Sequence, residues 1–126
     1  MKLSYFRNQN VPIVRTIGVD KEVPLSVVRW LMVLAFGRAE ELKEKGMEAS
    51  YFQVFNVKSE RTSNENIKYS VEMTQEQPDY TSNYDIELNE NKEFNGTVWI
   101  IESWNGETEN VTINDHYITV LLPCEY

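Results

Sequence analysis

The stretch PLSVVRWLMVLAFGRAEELKEKG, Pro24 to Gly46, constrains the fold most, because no other segment is long and periodic enough to be a helix. Pro24 fits a first helical turn, where backbone N–H groups lack intrahelical partners anyway. Gly46 follows the last charged turn and fits a left-handed stop. The roughly 22 residues between them rise about 33 Å. Val28, Leu31, Met32, Ala35, Ala39 and Leu42 recur at helical spacing and define one apolar stripe. Val27, Trp30, Val33, Leu34 and Phe36 widen that stripe over the first half, where only Arg29 interrupts it. The expectation is a first half buried on most sides and a second half buried on one. The last turns carry Glu40, Glu41, Lys43, Glu44 and Lys45, with Glu41 and Lys45 in the favourable i,i+4 order. An apolar run like this one is ordinarily a core helix lying across a sheet. The sharper reading has Trp30 or Phe36 facing a partner or a second copy.

After Gly46 the period changes from helical to alternating. Tyr51, Gln53, Phe55 and Val57 fall on one side of an extended run, with Phe52, Val54 and Asn56 on the other. Lys58 to Asn66 reads as a polar hairpin loop, and Ile67 to Met73 as a strand with Ile67, Tyr69, Val71 and Met73 facing in. Thr74 to Asn83 breaks the pattern around Pro78, and Tyr84, Ile86 and Leu88 alternate with Asp85 and Glu87 in another strand. Thr97 to Trp104 and His116 to Leu122 are the strongest strands, flanked by turn signals at Asn105-Gly106 and Asn114-Asp115. Ahead of the helix, Val11 to Gly18 reads as a short strand with Pro12 at its start, and Gly18 to Val23 as a turn. One helix among closely spaced strands predicts an α+β fold: one long helix packed on a mostly antiparallel sheet of about five strands.

A chain of 126 residues is expected to form a single domain, residues 1–126. Arg29 and Arg38 cap the longest apolar run well short of the roughly 20 residues a membrane span needs. The amino terminus, MKLSYFRNQN, has no apolar signal region, so a cytoplasmic location is expected and the two glycosylation sequons are chance matches. A lone cysteine, Cys124, rules out a disulfide within the chain. Charge is lopsided: residues 1–46 carry a balance of +3 and residues 47–126 a balance of −11. The acidic part argues against direct nucleic-acid binding, which depends on Lys and Arg neutralising phosphate. Such an excess is usually a solvated face, and otherwise a docking surface for a basic partner.

Several short motifs, in order along most of the chain, resemble a bacterial family known as domain of unknown function 960. They are Arg15-Thr-Ile-Gly18, Val23-Pro24 before a helix bearing Trp30, Ser50-Tyr-Phe-Gln-Val-Phe55, Gln75-Glu-Gln-Pro-Asp-Tyr80, Tyr117-Ile-Thr-Val-Leu-Leu122 and Glu125-Tyr126. The resemblance implies a small cytoplasmic accessory protein of Gram-positive bacteria, often encoded on mobile elements and phages, and brings no established activity. Residues 104–115 look longer and more acidic than the family's hairpin, so nothing is carried over there.

Tested against specific chemistries, the residues exclude more than they include. Nucleophilic catalysis needs a Cys or Ser beside a base, yet His116 and Cys124 would lie about 26 Å apart in one extended strand. Structural zinc wants four Cys or His ligands, and this chain holds one of each. No calcium loop, phosphate-cradling glycine loop or dinucleotide fingerprint is present. No cofactor and no metal are therefore expected. Basic Arg7, Arg15, Lys21, Arg29 and Arg38 need not share a face. The leading expectation is a non-catalytic protein-interaction or regulatory module of a mobile element, with self-association as a homodimer one form of it. Its candidate partner-binding residues are Trp30, Glu72, Gln75, Glu76, Asp79, Tyr80 and Trp104. A second expectation is an acidic mimic of nucleic acid, presenting Glu72, Glu76, Asp79, Asp85, Glu87, Glu107 and Glu109 to a basic cleft. A remote third is a small enzyme built on two carboxylates from Glu72, Glu76 and Asp79.

Overall fold

A computed structural model describes residues 13–47, 50–76, 79–104 and 116–126. In chain order it holds β1 (Ile13–Arg15), α1 (Ile17–Glu22), α2 (Leu25–Glu44), β2 (Phe52–Arg61), β3 (Asn66–Glu76), β4 (Asp79–Asn89), β5 (Gly96–Trp104), β6 (His116–Leu121) and a closing 3₁₀ turn (Pro123–Glu125). The strands form one sheet in the order β1-β6-β5-β2-β3-β4. Every pairing is antiparallel except β1 with β6. The expected α+β architecture therefore holds, with six strands among the described residues rather than about five.

Helix α2 starts one residue after Pro24 and stops where Gly46 takes φ 74°, a conformation that costs a side chain but not a glycine. Val27, Val28, Leu31, Met32, Ala35, Ala39 and Leu42 are buried along it, so the apolar stripe faces the sheet. The widening residues behave differently from expectation. Val33 is 66% exposed, Leu25 and Arg29 point out with it, and Trp30, Leu34 and Phe36 are only half-buried at the flanks. The first half of the helix is covered on one side, like the second, because a single sheet lies beneath it.

Under the helix the alternating strands deliver their in-facing residues. Phe55, Val57, Ile67, Tyr69, Val71, Met73, Val98, Ile100, Ile118 and Val120 are buried there. The register explains why they form one layer: Phe55 sits opposite both Met73 and Val98, and Ile100 opposite Val120. Buried Tyr69 keeps its hydroxyl satisfied by donating to the Lys92 carbonyl at 2.6 Å, and burial pushes its pKa up.

Three segments read as loop or turn are regular structure. β2 runs on to Arg61, leaving only Thr62 to Glu65 for the hairpin loop. β3 and β4 run through Glu76 and from Asp79, so Thr74–Glu76 and Asp79–Asn83 are ladder residues. Their polar side chains hid the alternation, because Gln75 and Ser82 occupy in-facing positions that apolar residues normally hold. Gly18 to Val23 lies mostly in α1, whose N-cap Thr16 offers its hydroxyl to the Val19 N–H at 3.4 Å.

Candidate functional site

The polar in-facing positions of β2, β3 and β4 converge on Arg38. This residue is 1% exposed. Its guanidinium donates to Gln53 Oε1 at 3.1 Å, the Met73 carbonyl at 2.8 Å, the Tyr80 carbonyl at 3.4 Å and the Ser82 hydroxyl. Nε finds no acceptor among the described residues. Gln53 in turn donates to Gln75 Oε1 at 2.6 Å, and Gln75 accepts from the Ser50 N–H at 3.1 Å. These acceptors are all neutral, and desolvation by burial dominates and lowers the pKa of Arg38. Tyr80 lies under the cation with its ring centroid 4.9 Å away and donates its hydroxyl to Glu41 at 2.9 Å. Arg38, read from sequence only as one of five basic residues that need not share a face, is the pin that fastens β4 and β3 to the helix. The signal was in the helical spacing: Arg38 falls three residues after Ala35 and four before Leu42 on the buried stripe, whereas Arg29 lies on the opposite, exposed face.

Among the described residues no α-helix covers the opposite face of the sheet. Phe52 and Trp99 meet edge to face at 4.9 Å, and Tyr126 from the closing turn meets Trp99 at 5.6 Å. Val54, Ile101 and Leu121 floor this aromatic cluster, Val54 pairing with Trp99 and Trp99 with Leu121. One strand further on the face turns polar: Glu72, Glu76, Asp79, Asp85 and Glu87 are all exposed there. Lys58 and Lys68 stand among them, Lys68 bridging to Asp85 at 3.8 Å. Where the aromatic and acidic regions meet lies an open cavity of about 420 Å³, lined by Ser50, Tyr51, Phe52, Val54, Thr74, Gln75 and Glu76.

The candidate residues drawn from sequence thus divide between two faces. Glu72, Glu76 and Asp79 share the open face, with Glu72 accepting from Asn56 at 3.3 Å. Gln75 and Tyr80 belong to the helix side, where they serve the Arg38 network. Trp30 packs half-buried against the core. Trp104 ends β5 opposite His116, and Glu107 and Glu109 lie outside the described residues. Phe52, Trp99 and Tyr126 were not among the candidates. The signal for Phe52 was available, since YFQVF places aromatic residues on both faces of its strand.

A second tie joins the ends of the chain. Glu125 accepts from the Thr16 hydroxyl at 2.5 Å, the Gly18 N–H at 2.7 Å and the Leu122 N–H at 3.1 Å. These bonds, that from Thr16 first, hold its carboxyl below the usual range. A Cβ on Gly18 would come within 2.6 Å of that carboxylate, so the close approach requires glycine. The clasp also sets Tyr126, the next residue, against Trp99.

Among the described residues no cluster of His, Cys, Asp or Glu is arranged to hold a metal ion, and no helix is long and apolar enough to cross a membrane. Comparisons with protein families, with curated proteins and with solved structures find no match to this chain.

Proposed function

We propose that the protein is a non-catalytic interaction module whose open sheet face docks a basic protein partner. The observation that carries this reading is a cavity of about 420 Å³ lined by both Phe52, the near end of the Phe52–Trp99–Tyr126 cluster, and the carboxylate residue Glu76. A lysine or arginine side chain needs both parts of that lining: an aromatic surface for its stem or guanidinium plane, and a carboxylate for its charge. The net charge of −8 adds long-range attraction for such a partner. The resemblance to domain of unknown function 960 adds a cytoplasmic setting on a bacterial mobile element to the proposal.

A peptide alternating Arg and Pro tests it, since proline removes the N–H groups that strand pairing needs. Titration should move the amide signals of β2 and β5 and weaken with salt. Trp99→Leu and Glu76→Gln should each lower affinity by roughly fivefold, as expected for losing a contact of about 1 kcal/mol. Affinity indifferent to both substitutions would overturn the reading.

The acidic-mimic reading draws on one observation, the shared face of Glu72, Asp85 and Glu87. Lys58 and Lys68 interrupt that field, and the aromatic cluster has no counterpart on a phosphate backbone. A basic partner displaced by DNA, and bound equally well by the Trp99→Leu variant, would favour the mimic.

A further inference from the structure

The last strand of the sheet, β4, is eleven residues long and has β3 on one side only. Among the described residues no backbone hydrogen bond leaves its other side for another segment; that of the Glu90 N–H, just beyond its end, goes to the Glu65 carbonyl on the β3 side. An edge of this length presents a row of unpaired N–H and C=O groups over about 35 Å, which is a template for another strand. Natural sheets usually blunt such an edge with lysine, proline, a bulge or a covering segment. Here β4 reads DYTSNYDIELN, with no basic residue and no proline. It pairs with β3 without a break from Asp79 to Asn89.

Its two faces differ in a way that specifies an occupant. On the helix side Tyr84, Ile86 and Leu88 are only half-buried, while their partners on β3, Val71, Tyr69 and Ile67, are at most 3% exposed. An added strand with apolar residues in register would complete their burial. On the open side Asp79, Asp85 and Glu87 stand exposed, and one lysine, Lys68, serves two of them, standing opposite Glu87 in register and 3.8 Å from Asp85. A second copy of β4 would bring carboxylates together there without adding a cation, and like charges across a strand pair are destabilising.

We propose that β4 is a strand-addition edge for an extended, basic segment of a protein partner, with Lys or Arg at alternate positions and apolar residues between them. Main-chain hydrogen bonds would supply affinity, and the two alternating sets of side chains would supply register and specificity. This deepens the interaction-module reading and rests on it, but it assigns the contact to a different part of the sheet.

The test uses an acetylated and amidated peptide of about eight residues, enough to pair with most of β4, alternating Lys and Val. Its control is the block isomer with all lysines ahead of all valines, equal in charge and composition. The alternating peptide should bind the full chain about tenfold tighter than the block isomer and slow amide exchange along β4. Asp85→Lys combined with Glu87→Lys should lower its affinity by about tenfold or more, and the milder Asp85→Asn with Glu87→Gln by less. Trp99→Leu should leave it within about twofold, because that side chain lies strands away. Equal binding of the two isomers, protection over β2 and β5 instead of β4, or indifference to both charge variants would overturn the proposal. Binding lost with Trp99→Leu but kept in the charge variants would sink the edge while leaving the face reading standing.

Discussion

At the β1 edge of the sheet a carboxylate does the fastening, and at the β4 edge a guanidinium does. Glu125 gathers the Thr16 hydroxyl and the Gly18 and Leu122 amides, binding the first described strand and helix to the last turn. Arg38 reaches from α2 to Gln53, Met73, Tyr80 and Ser82, binding the helix to the three strands farthest from β1. The anion is close to solvent, and two of its three partners are backbone N–H groups, one of them in the first turn of α1, where negative charge is favoured. The cation is buried, and its partners are neutral oxygens that lose their donor if it is removed. The difference teaches which tie a small perturbation can open. One depends on a proton within reach of ordinary buffers, and the other depends on burial that no ordinary buffer alters.

The contrast breaks most visibly at Arg38. Arg38→Ala strands several buried acceptors at once, and the expected loss is about 3 kcal/mol of stability, read by denaturant unfolding. Arg38→Met should lose less, since it keeps the volume while giving up the donors. A loss under about 1 kcal/mol for the alanine variant would mean that the β4 edge is held by packing alone. At the other edge Thr16→Ala removes both the cap of α1 and a donor to Glu125, for an expected loss of about 1 kcal/mol. The same variant should disturb the fluorescence of Trp99 by freeing Tyr126, an effect that Arg38→Ala would not produce while the fold persists.

The smallest expected effect is the response to acid, which sharpens the comparison. The carboxyl of Glu125 has a folded-state pKa depressed below the ordinary 4.5. Its contribution is therefore fully present above that ordinary value and is lost as pH falls through the folded-state value. Amide exchange at Gly18 and Val19 should accelerate across that acid window while exchange at Met73 and Ser82 holds. Simultaneous acceleration at both sites would show one cooperative unit rather than two separate ties.

How far the sequence reached can be judged at particular residues. The stripe from Val28 to Leu42 and the alternation from Ile67 to Met73 were legible, because their burial follows from the helical and two-residue periods alone. Thr74–Glu76 and Asp79–Asn83 were not, because Gln75 and Ser82 are polar residues filling core positions. Ser82 is satisfied there by Arg38, and Gln75 by Gln53 and the Ser50 N–H, and no local pattern records partners so far along the chain. Gly18 looked like a turn glycine, and its reason lies in a carboxylate at the far end of the chain. The candidate surface was legible in part: the acidic residues were found by composition, whereas the aromatic cluster beside them depends on which strands are neighbours.

By itself the sequence determined one long amphipathic helix, an alternating set of strands, a concentration of negative charge after residue 46, and the lack of ligands for a structural zinc site. Those follow from period, composition and count, which are local or additive properties. Tertiary structure alone decided that β1 joins β6 in parallel, that β4 ends the sheet among the described residues, and that the Arg38 guanidinium meets β2, β3 and β4. Each of these depends on strand order and on which side of the helix the sheet lies. Hydrogen bonds and contacts between residues distant in the chain set both, and they exist only once the sheet has formed.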